Sequence, residues 1–524
     1  MLRSIATVGG STLVSRVLGF IRDVMMATYL GSGPVADAFF VAFRLPNLFR
    51  RWFAEGAFNS AFVPLFARRL EEEGEASAKR FAEETLSGLG FTLLAFTALA
   101  EIAMSVIMIA FAPGFLSDPE KFDLAVVLTR ITFPYLLCMS VIALLSGLLN
   151  ATGRFAVAAA APILLNVVLI SVLVAIGLAG HAGTPMAGIW LAWGVFAAGF
   201  VQLGALVWAA AGAGYMLRIR RPRLTPGVKR LIALGIPGVV AGGVTQINIF
   251  VGTIIASLKA GAVSFLYYAD RLYQLPLGVI GIAIGVVLLP DLARRLRAGD
   301  GDKALDSQNR ALEYSMLLTL PAAVALAVVP QPIISVLFEH GKFTADDRVA
   351  TAGALAFFAL GLPGFVLIKV FSPGYFARED TKTPMIFAAV GVAVNIVGSL
   401  VLFPFLAHVG IAIATSLSGW ANTGLLWATL AKRGHFTFDA GLRRRLPMML
   451  VSSVVMGVAL YALQPAVAPF IGPDRPILLR VAVLAVFVLA GVAVYFGTAQ
   501  LTGATDLKRD VGQILRRRRR RVTG

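Results

Sequence analysis

"FPYLLCMSVIALLSGLL" (residues 133–149) runs for a full hydrophobic stretch without one charged residue. Its apolar residues are continuous rather than alternating, which suits a helix crossing a hydrocarbon core and not a strand of a membrane barrel. Similar runs recur near 5–29, 34–54, 82–112, 122–149, 157–180, 186–213, 231–257, 263–290, 312–338, 350–375, 385–407, 409–431, 447–468 and 477–502. Composition agrees: of 524 residues, 58% are hydrophobic and 14% charged. The expectation is an all-α polytopic membrane protein with about fourteen transmembrane helices. The opening segment "MLRSIATVGGSTLVSRVLGF" is broken by Gly and Arg and reads as a retained first helix rather than a cleaved signal.

Several chemistries are excluded at this stage. The single cysteine, Cys138, lies inside the apolar run, so neither disulfides nor thiolate metal sites are expected. His181, His340, His408 and His435 are scattered without ligand spacing, so no metal is expected. "HGKFT" (340–344) lacks the glycine spacing of a phosphate-binding loop, so no nucleotide or other cofactor is expected.

Basic residues collect in alternate loops. "RRLEEEGEASAKR", "RIRRPRLTPGVKR", "RRLRAGDGDK", "KRGHFTFDAGLRRR" and the arginine run 516–521 all fall on one face. By the positive-inside rule that face is cytoplasmic, and an even number of spans puts both termini there. The net charge of +18 is mostly this topology signal and not a nucleic-acid footprint. The arginine tail either grips anionic headgroups or anchors the topology.

The chain also repeats itself. "PLFARRL" (64–70) returns as "PDLARRL" (290–296), "FRLPN" (43–47) as "YQLPL" (273–277), and "NATGRFAVAAAAPILLN" (150–166) as "REDTKTPMIFAAVGVAVN" (378–395). Nearly the same offset for all three pairs argues for two homologous six-span halves running the same way through the membrane. The expected organisation is an N-terminal lobe at 1–222, a C-terminal lobe at 223–440, two further spans at 441–505 and a basic tail at 506–524. Parallel repeats of this kind place the substrate between the lobes and work by rocking, which favours transport over a channel.

Against this apolar background the stretch "SRVLGFIRD" (15–23) stands out, because a bilayer charges about 2.5–3.5 kcal/mol for one Arg at a helix centre. Ionisable residues within the spans are Arg16, Arg22, Asp23, Asp37, Arg44, Arg50, Arg51, Glu55, Glu101, Arg130, Asp270, Arg271 and Lys369. Arg16 and Asp23 are seven apart and share a helix face, as do Asp37, Arg44 and Arg51. Asn47 and Arg50 share another side, and Pro46 and Pro276 break the two halves at matching places. Asp23, Asp37 and Asp270 are either Arg partners holding helices together or part of a site. Arg44 and Arg51 are expected to snorkel or end their helix, and Glu101 to pair with Arg130. The carboxylates are too few for the cations, so Arg16, Arg22, Arg50 and Arg271 are expected to line a polar cavity and await an external anion. A guanidinium fork suits phosphate oxygens, with Ser15, Asn47 and Ser264 as neutral donors. The implied substrate is a large anion delivered from the membrane, of which a lipid-linked pyrophosphate is one example.

"ADAFFVAFRLPNLFRRWFAEGAFNSAFVP" (36–64), with "SRVLGFIRD" before it, closely resembles the MurJ/MviN lipid II flippase family. "YYADRLYQLPLGVIGIAIG" (267–285), "LFEHGKFTADD" (337–347) and "PGYFAREDTKTP" (373–384) resemble its other marked segments. The resemblance implies the multidrug/oligosaccharidyl-lipid/polysaccharide exporter fold: two six-helix lobes in a V around a cationic cavity, with two extra helices forming a hydrophobic groove. It implies a non-enzymatic role in the bacterial cytoplasmic membrane. Lipid II, the undecaprenyl-pyrophosphate-linked disaccharide-pentapeptide, would move from the inner to the outer leaflet for peptidoglycan assembly. Membrane lipids, and the peptidoglycan synthesis machinery as a contact, are the implied partners. The family's cavity positions carry over onto Arg16, Arg22, Arg50, Arg271, Asp37, Ser15, Asn47 and Ser264. Two departures follow. Gln274 stands where members often have Glu, and spans 7 and 11 hold only Gln246, Asn248 and Asn395, so no equivalent sodium site is expected and coupling to membrane potential is favoured.

Rival readings are an O-antigen or capsule precursor flippase of the same fold, and a drug exporter whose cationic substrates surplus arginines would repel. A pyrophosphate-cleaving phosphatase would need a His or Asp pair near the arginines, and the four histidines lie in or beside loops.

Overall fold

The computed structural model describes residues 2–50 and 57–505. Arg51, Glu55 and the arginine run 516–521 lie outside the described residues. The chain divides into two compact units, one formed by residues 1–267 with 340–347 and the other by 268–339 with 348–524.

The first unit holds α1 (Leu2–Leu30), α2 (Pro34–Arg50), α3 (Ala57–Glu72), α4 (Glu75–Ile102), α5 (Met104–Phe111), α6 (Pro119–Thr132), α7 (Tyr135–Ala151), α8 (Ala156–Leu178), α9 (Pro185–Ala211) and α10 (Pro226–Ser257). It also takes the first turns of α11 (Ala262–Arg297). Helix α1 lies along α8, α8 along α9, α2 against α6 and α9, and α3 against α7 and α10. Phe62, Phe66 and Phe81 stack at the centre of its core, with Leu144, Leu148 and Leu206 around them.

The second unit holds the rest of α11, then α12 (Gly301–Val328), α13 (Pro330–Phe338), α14 (Ala345–Phe376), α15 (Lys382–Lys432), α16 (Ala440–Ile471) and α17 (Ile477–Leu501). Helix α16 packs on both α12 and α17 around Val329, Met456, Leu460, Phe487 and Tyr495. Arg480, fully buried near the start of α17, donates to the carbonyls of Ser335 (2.6 Å) and Ile471 (3.1 Å), fastening the last two helices to α13.

Nine helical segments among the described residues are long and apolar enough to cross a membrane, which does not fix the number of spans at the expected fourteen. Several expected spans are built from two pieces. The run 82–112 is α4 and α5 joined at Ala103, 122–149 is α6 and α7 joined at Phe133–Pro134, and 312–338 is α12 and α13 broken before Pro330. Conversely, α15 is continuous in hydrogen bonding yet contains non-helical backbone at Ala407 (φ 47°, ψ −131°), where the sequence separates one span from the next. Large apolar side chains such as Leu178, Phe405 and Leu478 point outward, as a lipid-facing surface requires.

Helix-interior prolines are compensated locally. Pro46 has no N–H to offer Ala42, and the freed Ala42 carbonyl accepts instead from the Thr132 hydroxyl at 3.0 Å. In the second unit Pro321 frees the Leu317 carbonyl, which accepts from the Tyr495 hydroxyl at 2.8 Å.

Candidate substrate-binding site

The charged residues of α1 are placed very differently from one another. Arg16 is exposed on the helix surface and makes no ion pair among the described residues. Arg22, 7% exposed, is held from two sides: Nη2 donates to Asp23 Oδ1 at 2.7 Å and Nη1 to Asn166 Oδ1 at 2.8 Å. Asn166 on α8 in turn donates to the Ser15 carbonyl at 2.9 Å, and Asp23 accepts from the Tyr267 hydroxyl at 2.9 Å. Ser15, Arg22, Asn166, Asp23 and Tyr267 therefore form one polar chain across α1, α8 and the start of α11. A bidentate guanidinium presented this way has a fixed plane, which orients its remaining donors.

Helix α2 carries the second group. Asp37 is fully buried and each of its oxygens is doubly engaged. Oδ1 accepts from the Ser264 amide (3.0 Å) and hydroxyl (2.6 Å), while Oδ2 accepts from the Gly261 amide (2.8 Å) and Lys121 Nζ (2.7 Å). Lys121 also lies 4.1 Å from the centre of the Phe115 ring. Asp37 and Ser264 thus satisfy each other in this conformation, and with Lys121 they tie α2 to α6 and to the turn before α11. Arg44, expected to snorkel or end its helix, donates to Thr253 of α10 at 2.8 Å. Asn47 donates to the Phe43 carbonyl at 2.7 Å, and Arg50 is half-buried at the end of the helix.

In the second unit, Asp270 and Arg271 are half-buried on α11, and Gln274 donates to Asp270 one helical turn away. No hydrogen bond reaches the buried Glu101 Oε1, so the expected bond to Arg130 is not made there.

Four side-chain partners are not singled out as site residues by sequence: Lys121, Asn166, Thr253 and Tyr267. Asn166 did mark the internal repeat, and its recurrence as Asn395 was the available signal. Lys121 follows a loop aspartate and a glutamate, "SDPEK", where a lysine reads as ordinary surface charge.

These long apolar helices with buried polar networks between them define a multi-span membrane protein. Solved structures share its fold. A multidrug resistance MATE family transporter of the MOP superfamily, in an inward-facing conformation, shares the fold with TM-score 0.66 over 80% of this chain and 95% of its own, at 14% identity. A solved lipid II flippase MurJ in an inward closed conformation matches with TM-score 0.76 and 26% identity, covering 96% of this chain and 99% of its own. The family model for lipid II flippase MurJ matches residues 26–472. Among relatives, the probable lipid II flippase MurJ of Rhizobium meliloti (strain 1021) is 50% identical over 97% of this chain and 95% of its own length. That of Rhizobium tropici is 49% identical over 99% and 97%. The chain belongs to the lipid II flippase MurJ family.

Proposed function

We propose that this protein moves lipid II across the bacterial inner membrane, from the cytoplasmic to the outer leaflet, without catalysing a covalent step. The observation that carries the reading is Arg16: an exposed guanidinium with no ion pair among the described residues, the sole charge between residues 4 and 21 of a MurJ-family chain. A cation placed there is costly in lipid unless an anion completes it, and a pyrophosphate offers the matching oxygens. Arg16, Arg22, Arg50 and Arg271 are the proposed anion-binding residues, with Ser15 and Asn47 as neutral donors. Asp37 and Ser264 join the substrate set only when their mutual hydrogen bonds open, which suits a cycle of alternating access. Lobes at 1–222 and 223–440 with added spans at 441–505, both termini on the cytoplasmic side, and contact with peptidoglycan synthesis enzymes complete the proposal.

The test replaces Arg16 or Arg271 by Ala and by Lys in cells depleted of the native protein, and measures lipid II accessible outside the cytoplasmic membrane. Alanine is expected to abolish export at both positions, and lysine to restore it in part, since it keeps the charge and loses the fork. Full export with both alanines overturns the binding role. Export of an O-antigen or capsule precursor in place of lipid II overturns the substrate.

A further inference from the structure

A cavity of about 720 Å³ opens on the first unit where the α7–α8 turn meets the end of α9. Leu149, Phe155, Val157 and Trp208 give it apolar walls, and Arg154 and Gly212 stand at its polar side. Helix α9 is 27 residues long, about 40 Å at 1.5 Å per residue, so its last turn reaches the membrane–water boundary. Trp208 is 77% exposed there, the setting in which an indole sits at headgroup level. The Arg154 guanidinium makes one hydrogen bond among the described residues, Nη1 to the Gly212 carbonyl at 3.0 Å, and no ion pair. Both partners of that bond line the cavity.

The chain that leaves α9 extends this surface. Residues 215–225 carry Arg218, Arg220, Arg221 and Arg223 with Ile219 (87% exposed), Met216 and Leu224 between them. The segment is not helical, and four hydrogen bonds fasten it to α4, one of them from the Arg220 guanidinium to Glu83. The Arg218 amide donates to Glu83 at 3.2 Å, the Arg220 amide to Ser87 at 2.8 Å, and the Thr225 hydroxyl to Glu84 at 2.9 Å. Glu83 is consumed by Arg220 (2.5 Å) and Glu84 by Thr225 and Arg80, while Glu75 flanks Gly214. Arg221 and Arg223 keep their charge outward, next to exposed apolar side chains that favour the lipid boundary.

We infer that this cavity binds one anionic diacyl phospholipid of the adjoining leaflet. Its phosphate would sit against Arg154, one acyl chain along Phe155, Val157 and Trp208, and neighbouring anionic headgroups on Arg221 and Arg223. Charge selects the occupant. A zwitterionic lipid fills the apolar walls equally well but gains little from a rim whose nearest carboxylates are mostly engaged, whereas each Lys or Arg near the surface favours an anionic lipid by a factor of about five.

The test uses the full-length protein, purified and reconstituted in nanodiscs with equal phosphatidylglycerol and phosphatidylcholine, with retained lipid counted by native mass spectrometry. Wild type is expected to retain phosphatidylglycerol in preference. Arg154→Glu, and separately Ala156→Trp to fill the cavity, should reduce that retention about fivefold or more, and Arg221→Gln/Arg223→Gln less. Arg154→Gln, which preserves the side-chain bulk, serves if the Glu variant does not fold. Unchanged retention in the Arg154 and cavity-filled variants overturns the inference, as does equal retention of the two lipids. Added lipid II displacing the phospholipid mole for mole also overturns it, by making the cavity a substrate site.

Discussion

Lys121 Nζ lies 2.7 Å from Asp37 Oδ2 with both side chains buried, joining residues 84 positions apart in the chain. The pair is tolerable because Ser264 and Gly261 donate to the carboxylate and the ring of Phe115 faces the ammonium. Removing one partner of a buried pair strands the other, at a cost of about 3–5 kcal/mol. Lys121→Met and Asp37→Asn should each lower the unfolding midpoint and impair transport in depleted cells. Because they break the same contact, the double variant should lose less than the sum of the two. Additive losses would mean that the pair is not coupled.

The Thr132 hydroxyl answers a carbonyl that only Pro46 leaves open. Thr132→Val should therefore cost about 1–3 kcal/mol, the penalty of a buried acceptor without a donor. Pro46→Ala returns an N–H to the Ala42 carbonyl, so in that background Thr132→Val should cost far less. Thermal unfolding of the four proteins checks it; an equal penalty in both backgrounds would remove the compensation argument.

Two glycines permit a backbone crossing in the first unit. Gly31 (φ 67°) ends α1 against Lys342, and Gly341 (φ 58°) lies against Thr28, whose carbonyl accepts from the Lys342 amide at 2.9 Å. A Cβ at either position meets backbone as well as left-handed strain of about 1–3 kcal/mol. Gly434 (φ 71°), in the turn that ends α15, has open space around it, so Gly434→Ala isolates the strain alone. Gly31→Ala and Gly341→Ala should each destabilise more than Gly434→Ala when midpoints are compared.

In the loop after α14, the Arg433 guanidinium (2.7 Å), with the Thr383 amide and hydroxyl, holds the Asp380 carboxyl down to about 2. A carboxyl whose folded value lies below its unfolded value of about 3.9 stabilises the fold above that unfolded value. The contribution fades as pH falls toward about 2. Asp380→Asn should accordingly be less stable than wild type at pH 7, with the gap closing through that acid window. The loop is partly exposed, so the difference is small. A gap constant from pH 7 to pH 2.5 would contradict the linkage.

Legibility in the sequence was uneven, and particular residues show why. The separation of the spans ending at 407 and beginning at 409 coincides with the backbone break at Ala407, because turn chemistry interrupts an apolar run locally. The arginines proposed to bind an anion stand out in the sequence because a charge inside an apolar run is anomalous wherever the chain goes. The doubled engagement of Asp37 was not visible, and it turns a residue expected to face substrate into one satisfied by Ser264, Gly261 and Lys121 in this conformation.

By itself the sequence determined what is local. Runs of apolar residues must become membrane helices, since no other backbone arrangement of continuous runs satisfies its hydrogen bonds in lipid. The need of each intramembrane charge for a partner is likewise fixed at the residue. Only the tertiary structure decided which partner: Asn166 for Arg22 across 144 residues, Lys121 for Asp37, Thr253 for Arg44. A charge requires compensation at about 3 Å, and chain spacing does not say which distant helix comes that close.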